Sequence, residues 1–202
     1  MNNNIIYDFE TLSQDRYRGV VVSLAVLTFD PYRFTSIHEK YTFEELVNET
    51  KFVKFDVEQQ TKHYGRKIQK STLEWWKEQG EDAIAKIKPS PDDVSISTLP
   101  NWWKENTPDY IEKAWTRNNT FDPVILDFIY EQFADQNDKP HNWWSIRDTR
   151  SYIEGLSFGS NLKNNFIPEG IENKITKHDP THDVALDVMR IQTLAEALYI
   201  PF

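Results

Sequence analysis

The sequence predicts an α/β fold, in which a central mixed β-sheet with three antiparallel leading strands is flanked by α-helices. Two runs dense in β-branched and aromatic residues, 5–11 and 20–29, are separated by a polar turn, which is typical of paired antiparallel strands. After a break at Asp30-Pro31, residues 36–43 alternate in part between apolar and polar side chains and are predicted to form the third strand. Helical and strand patterns then alternate, as in a sheet covered by helices.

The middle of the chain contains four further predicted elements. Residues 52–57 form a possible fourth element of the sheet. Ser71 and Glu74 have the spacing of a capping box, which predicts that a short helix begins there and presents Trp75 and Trp76. Two more short helices are predicted at 82–87 and 99–106.

The second half of the chain is predicted to return to the sheet. Residues 110–116 are predicted to form a strand and residues 121–129 a helix, whose first turn accommodates Pro123 because no backbone N–H is missed there. Asp122 therefore falls at a strand-to-helix junction, where sheet proteins commonly place functional side chains. The remaining predicted elements are a short strand at 143–148, a helix at 149–156 and a last helix at 183–198.

Length and composition predict one globular domain over residues 1–202. The chain is 39% apolar and 14% aromatic, which is enough to build a core of ordinary size. It contains no cysteine, so a disulfide framework, a zinc knuckle and a thiol nucleophile are excluded. There is no apolar run of membrane-spanning length, and residues 1–4 lack the features of a signal peptide. We therefore expect a cytoplasmic protein with no membrane partner.

The net charge of −9 argues against a broad basic surface that would hold duplex nucleic acid by neutralising phosphates. It does not exclude a nucleic-acid substrate. A catalytic pocket that uses metal ions must itself be rich in carboxylates, and bound ions reverse the local charge.

Two carboxylates lie one residue apart on the first predicted strand. Side chains alternate faces along a strand, so Asp8 and Glu10 project from the same face, about 6–7 Å apart. Two such anions repel each other unless they share a cation, and hard divalent ions such as Mg²⁺ or Mn²⁺ prefer carboxylate oxygens. The alternative is an edge strand with a solvated polar face, and further ligands are needed to decide between the two.

Three later residues complete a set with this pair: Asp122 opens the middle helix, and His178 and Asp183 enter the last one. In this order the residues resemble the four-acidic-residue 3′-to-5′ exonucleases of the ribonuclease H-like fold, the DEDD superfamily. The His stands five positions before the last Asp, which matches the His subtype. The Tyr subtype would need a tyrosine at position 179, where this chain has Asp.

The resemblance extends from residue 5 to about residue 194. The segments 8–11, 71–77, 147–150 and 178–183 are similar to the exonuclease A family of T-even bacteriophages and its relatives, which include a bacterial exoribonuclease branch. If the protein is encoded by a phage, the compartment expected is the host cytoplasm. The fold implied is ribonuclease H-like.

The resemblance implies phosphodiester hydrolysis with two Mg²⁺ or Mn²⁺ ions per site. Asp8 would bridge both ions, Glu10 and Asp183 would hold the ion that binds the attacking water, and Asp122 would reach the other ion through water. His178 would accept the proton of that water at neutral pH.

Some residue roles remain open from the sequence. His182 competes with His178 as the base, although its position beside Asp183 favours a capping or flanking role. Following the family, Phe9, Thr11 and Leu12 are expected to contact the terminal nucleotide. The Trp pairs at 75–76, 102–103 and 143–144 suit either base stacking or core packing, and core packing is preferred for most of them. Three charged residues suit either phosphate contact or a buried ion pair: Arg147, Asp148 and Arg150.

Three functions are consistent with this reading. The first is a metal-dependent 3′-5′ exonuclease that hydrolyses single-stranded DNA to nucleoside monophosphates. The second is a 3′-5′ exoribonuclease of the same fold, and the third is a catalytically inactive nucleic-acid-binding module. The intact set of acidic residues favours an enzyme over an inactive module. The expected partner is single-stranded nucleic acid, with DNA preferred over RNA. The oligomeric state is not predicted.

Overall fold

The computed structural model describes residues 3–35 and 39–198. Within them the strands are β1 (Asn4–Thr11), β2 (Val21–Phe29), β3 (Lys51–Lys54), β4 (Lys113–Thr116) and β5 (Ile146–Asp148). The α-helices are α1 (Phe43–Glu49), α2 (Val57–His63), α3 (Lys70–Glu78), α4 (Glu81–Ile87), α5 (Leu99–Asn106), α6 (Asp122–Phe133), α7 (Thr149–Leu156) and α8 (Pro180–Leu198). Short 3-10 helices cover Pro31–Thr35, Ile96–Thr98 and Trp143–Ser145.

The strands form one mixed sheet in the order β3-β2-β1-β4-β5. β1, β2 and β3 pair antiparallel, whereas β4 and β5 continue the sheet in parallel from β1. The predicted mixed sheet with three antiparallel leading strands is therefore confirmed. Because β1 is central, its side chains face covering helices on both sides.

The third strand was predicted at the wrong place. Residues 39–42 have no regular structure, and Phe43 begins α1, because Thr42 and Glu45 form a capping box that starts a helix there. Residues 36–38 of the predicted strand lie outside the described residues. The strand that pairs with β2 is β3, which overlaps the first half of the segment 52–57 predicted as a possible fourth element.

The two faces of the sheet pack against different helices. Ile6 on β1 packs with Val184 and Val188 of α8, while Tyr7 packs with Trp103 of α5 and with apolar residues of α6. Asp8 and Glu10 alternate with Tyr7 and Phe9, so they share the face of Ile6. The alternation therefore directs both carboxylates toward the start of α8.

Several helix and strand ends differ from the predictions. α3 begins at Lys70 after Gln69, which makes no side-chain cap bond, so the capping box predicted at Ser71 is wrong. α8 begins three residues earlier than predicted, because the Asp179 side chain accepts hydrogen bonds from the backbone N–H and hydroxyl of Thr181 and Pro180 fits the first turn. β4 and β5 are shorter than the predicted strands at 110–116 and 143–148. No helix in the described residues has the length and apolar character needed to cross a bilayer.

Candidate active site

The C-terminal half of β1 is the base of the site. β1 pairs with β4 only from Asn4 to Ile6, so the backbone beyond Ile6 lacks a strand partner on that side. The N–H of Phe9 instead donates to Oδ1 of Asp122, 3.1 Å away, at the first residue of α6. The unpaired amide thus brings a third carboxylate to the acidic pair on β1.

The start of α8 supplies the rest of the site. Asp183 lies in the first turn of α8, and His178 lies just before that helix. One ligand atom each from Glu10, His178 and Asp183 lie within 4.8 Å of one another. The structure therefore brings together residues that are far apart in the sequence and were predicted to meet.

Mutual repulsion and burial dominate the electrostatics of the site. Burial, followed by the charges of neighbouring carboxylates, raises the pKa of Asp8 and Glu10 well above the ordinary value. Burial raises the pKa of Asp122 and Asp183 to about 7. Asp8 interacts with the charges of Glu10, Asp122 and Asp183, which places all four in one cluster. Such a set of oxygen donors fits a hard divalent cation, which would remove the repulsion.

A second buried carboxylate, Asp187, follows Asp183 by one helical turn. It pairs with Nη1 of Arg117 at 2.5 Å and Nη1 of Arg190 at 2.7 Å, and it accepts a hydrogen bond from the hydroxyl of Thr149. This network was not predicted from the sequence. The i, i+4 spacing of Asp183 and Asp187, which puts both on one helix face, is the local signal that could have singled out Asp187.

The imidazole of His178 lies against the C-terminal end of α3. Its Nε2 is 3.0 Å from Oε1 of Gln79, and its ring meets the rings of Trp75 and Trp76 at steep angles, with centroids 4.7 Å and 5.7 Å away. His178 has φ +58°, in the left-handed region that non-glycine residues rarely adopt. Burial and the charge of Lys177 lower its pKa, so the neutral form is favoured near pH 7.

His182 has a different role in the fold. Its Nδ1 accepts a hydrogen bond from the N–H of Thr176 at 2.9 Å, and its ring packs edge-to-face on Phe43 at 5.3 Å. Through these contacts the His182 ring connects α8 to α1 and to the loop that contains Thr176. The geometry accordingly favours His178 over His182 as the base.

Two of the residues expected to contact the terminal nucleotide, Phe9 and Leu12, are buried. Phe9 is 5% exposed and packs on Tyr7 in the core, and Leu12 is 5% exposed and packs with Trp76. The Thr11 hydroxyl donates to the carbonyl of Ser13. Neither apolar side chain offers an open face for stacking here, because each fills a core cluster instead, and substrate contact by these three residues stays a prediction.

A pocket of about 400 Å³ adjoins the acidic cluster. The sheet register places Glu10, Ser23 and Lys54 in one row across β1, β2 and β3, and the small side chain of Ser23 leaves room above the sheet. On the far side the pocket is closed by α4 and the start of α8, where Lys86 pairs with Asp179 at 2.6 Å. This pocket was not predicted from the sequence, because its walls come from segments far apart in the chain.

The tryptophan pairs divide between core and surface. In the two helical pairs one ring is buried: Trp76 donates to the carbonyl of Thr11, and Trp103 to that of Pro140. Core packing is thus confirmed for these two. The pair at 143–144 is 78% and 58% exposed, so core packing does not apply there.

The charged side chains that follow the third tryptophan pair bond to backbone groups. Arg147 donates to the carbonyls of Trp144 and Ile146, and Asp148 caps α7 by accepting from the N–H of Ser151 at 2.7 Å. Within residues 3–35 and 39–198, neither Arg147 nor Asp148 belongs to an ion pair, so the buried ion pair considered for this segment is not formed by them.

Comparison with known proteins extends the resemblance. Residues 3–194 match the family model described as 3′-5′ exoribonuclease Rv2179c-like domain. The exodeoxyribonuclease of Enterobacteria phage T4 is 32% identical over 209 residues, which cover 94% of this chain and 87% of the relative.

Solved structures of exonuclease I share the fold. E. coli exonuclease I in complex with a dA16 oligonucleotide superposes with a TM-score of 0.59 at 15% identity, over 95% of this chain and 40% of the other. The zinc-bound E. coli exonuclease I–ssDNA complex gives a TM-score of 0.54 at 12% identity, over 95% and 39%. The chain therefore spans about two fifths of those solved chains, and the predicted ribonuclease H-like fold is confirmed.

Proposed function

Because the chain belongs to the family of 3′-5′ exoribonuclease Rv2179c-like domains and is a 3′-5′ exonuclease, we propose that it degrades single-stranded DNA to nucleoside 5′-monophosphates. The observation that carries the proposal is the meeting of four mutually repelling carboxylates from β1, α6 and α8 beside the imidazole of His178. DNA is placed before RNA because the phage relative, 32% identical, is an exodeoxyribonuclease.

The carboxylates of Asp8, Glu10, Asp122 and Asp183 would hold two divalent ions, Mg²⁺ or Mn²⁺. When bound, such ions supply Lewis-acid stabilisation of the charge that develops on the attacked phosphate and the departing oxygen. The chain itself supplies preorganisation, because the ligands stand on a central strand and two helices. The hydrogen bond from the Phe9 amide fixes one oxygen of Asp122 and leaves the other available as a ligand.

His178 is proposed as the general base that takes the proton of the attacking water. Its ring lies with Glu10 and Asp183 within 4.8 Å, and its lowered pKa keeps it unprotonated near neutral pH. Burial limits the access of bulk water to the site, which strengthens these interactions. After the proton moves, the neighbouring carboxylates stabilise the imidazolium.

The 3′-terminal nucleotide is proposed to occupy the pocket of about 400 Å³ beside Glu10. Its volume lies in the range of small-molecule sites. Lys54 and Lys86 line it and would offset phosphate charge beside the acidic cluster. Phe52, partly exposed on the edge strand β3, lines the same pocket and offers an aromatic surface to a base.

Oligonucleotides labelled at the 3′ or the 5′ end test the proposal, with and without Mg²⁺ or Mn²⁺. We expect metal-dependent release of labelled mononucleotide from the 3′ end, and a ladder of shortened products from the 5′-labelled strand. Asp8→Asn should lower the rate by more than about 100-fold, because even residues that only orient ligands are worth about 10–100-fold. Full activity of Asp8→Asn, or no release from the 3′ end with metal present, contradicts the proposal.

RNA is the second candidate substrate, since the matching family model is described as an exoribonuclease. Matched DNA and RNA oligonucleotides of one sequence, assayed at equal concentration, separate the two. A higher kcat/KM on RNA would make the enzyme an exoribonuclease with the same site, because the 2′-hydroxyl is the group that distinguishes the substrates.

A further inference from the structure

We propose that Gln79 is a positioning residue for His178, which holds the imidazole in the Nε2–H tautomer and leaves Nδ1 as the nitrogen that accepts a proton. The inference rests on the proposed function, in which His178 is the general base. It starts from one contact, the 3.0 Å distance between His178 Nε2 and Gln79 Oε1.

The orientation of the Gln79 amide is set by its second contact. Its Nε2 lies 3.0 Å from the carbonyl oxygen of Trp75, which can only accept a hydrogen bond. If the amide were flipped, two carbonyl oxygens would face each other at that distance, which is repulsive. The amide nitrogen therefore faces Trp75, and the oxygen faces His178.

This orientation decides the tautomer of His178. An amide oxygen can only accept, so the imidazole nitrogen facing it must carry the hydrogen. A neutral imidazole has one N–H, and Nδ1 is left with a free lone pair. When Nδ1 takes a proton, the Nε2–H bond to Gln79 persists and becomes charge-assisted. Gln79 consequently holds the ring in both protonation states.

The surrounding contacts explain why His178 needs a partner outside its own loop. Its backbone has φ +58°, a conformation that surrounding structure must maintain. Gln79, the residue that follows α3, lies three positions after Trp76 and four after Trp75, and these three residues together contact the ring. The next residue, Asp179, is tied to α4 through Lys86. The helical hairpin α3–α4 therefore sets the position of the base.

Nitrogen-15 NMR of the metal-free protein reads the tautomer directly. The His178 signals are assigned by their loss in His178→Ala. We expect a protonated Nε2 and an unprotonated Nδ1 in the wild-type protein near neutral pH. The opposite tautomer overturns the proposal without reference to any Gln79 variant.

Three variants test the effect on activity. Gln79→Leu removes the acceptor, should leave a mixture of tautomers, and should lower kcat by about 10–100-fold, the usual loss for a residue that orients a ligand histidine. Gln79→Glu keeps an acceptor for the Nε2–H but loses the donor to the Trp75 carbonyl, so it should retain the tautomer and more activity than Gln79→Leu. Gln136→Leu, the same change at an exposed position on the surface, serves as the control and should behave as wild type.

The outcomes separate this proposal from the one that it rests on. Wild-type kcat and an unchanged tautomer in Gln79→Leu overturn the role of Gln79 and leave the exonuclease proposal standing. Full activity in His178→Ala overturns the base assignment itself. If Gln79→Leu fails to fold by circular dichroism, the tautomer of the wild-type protein and the activity of Gln79→Glu still decide the question.

Discussion

Individual carboxylates in the site oppose folding of the metal-free protein. The pKa of Asp183 is about 7 when folded, against an ordinary 3.8, mainly because of burial. Between these values the unfolded chain has lost the proton and the folded chain keeps it, so the free energy of unfolding falls as pH rises. Above about pH 7 the free energy of unfolding has been lowered by the full amount, about 1.4 kcal/mol for each unit of pKa difference.

Removal of this charge should stabilise the metal-free protein while abolishing activity. We expect Asp183→Asn to melt higher than wild type at pH 8, by about 2–4 °C for each kcal/mol recovered, and the difference to disappear near pH 4. Melting curves by circular dichroism in the presence of a chelator measure it. An Asp183→Asn protein that melts lower at pH 8 would show that the carboxylate stabilises the fold.

His141 has the opposite effect of pH on stability. Burial lowers its pKa to about 4 from 6.5, and its Nε2 lies 3.0 Å from the hydroxyl of Tyr7. Between pH 6.5 and 4 the unfolded chain binds a proton that the folded chain does not, so stability is lost as the solution is acidified.

His141→Gln should therefore weaken the dependence of stability on acid. Glutamine can still hydrogen-bond to the Tyr7 hydroxyl but does not titrate. Up to about 3 kcal/mol of the stability that wild type loses between pH 6.5 and 4 should therefore be retained. Urea unfolding at both pH values in wild type and variant measures the difference. An equal loss in both proteins would show that other groups cause the acid sensitivity.

At the scale of single residues, the sequence predicted which acidic side chains come together better than it predicted what surrounds them. Alternation along β1 was enough to put Asp8 and Glu10 on one face, because a strand has a fixed period. The burial of Phe9 and the network around Asp187 depend on which distant segments pack together, and local periodicity carries no such information.

Among the elements, α8 connects the site to the rest of the fold. Asp183 faces the acidic cluster, and one turn later Asp187 is buried between Arg117, which follows β4, and Arg190 of the same helix. Arg117 also donates to Asn164 at 3.1 Å. The charge of Arg117 lowers the pKa of Asp183, although burial raises it more.

Arg117→Gln should destabilise the protein by about 1–3 kcal/mol, because Asp187 keeps Arg190 but loses one of its two cationic partners. Arg117→Lys should recover part of the loss, since it restores charge without the planar fork. Chemical denaturation of the three proteins measures the order. The expectation is contradicted if Arg117→Gln is as stable as wild type.

Two elements with strong local signals were placed almost as observed, and one segment with competing signals was not. The helix at 99–106 was predicted with its observed ends, and β2 nearly so. In the described part of the predicted strand, residues 39–43, the partial alternation was outweighed by the capping box of Thr42 and Glu45, since two satisfied backbone N–H groups start a helix there. The pairing of β3 with β2 is a long-range contact, which no local pattern specifies.

In the whole molecule, the central sheet carries a cluster of four carboxylates whose negative charges repel one another when no metal ion is bound. Divalent ions that bind only the folded state should raise the melting temperature by mass action. The gain should be larger at pH 8 than at pH 5.5, because protonated carboxylates must first release protons to bind metal.

Thermal melts with and without millimolar Mn²⁺ or Mg²⁺ at both pH values test this expectation. Asp8→Asn combined with Asp183→Asn, which removes two of the four carboxylates, should remove most of the metal effect. The same shift in the double variant as in wild type would place metal binding elsewhere on the protein.

The hydrogen bond from the Phe9 amide to Asp122 makes this amide a spectroscopic reporter of metal binding at the acidic cluster. The amide lies on β1 beyond the residues that pair with β4, so it bonds to the Asp122 carboxylate, which is also a proposed metal ligand. When an ion draws electron density from Asp122, the amide hydrogen bond weakens, and its proton resonance should move upfield while its solvent exchange accelerates. A single backbone signal would then follow ligand binding in solution, without substrate, label or turnover.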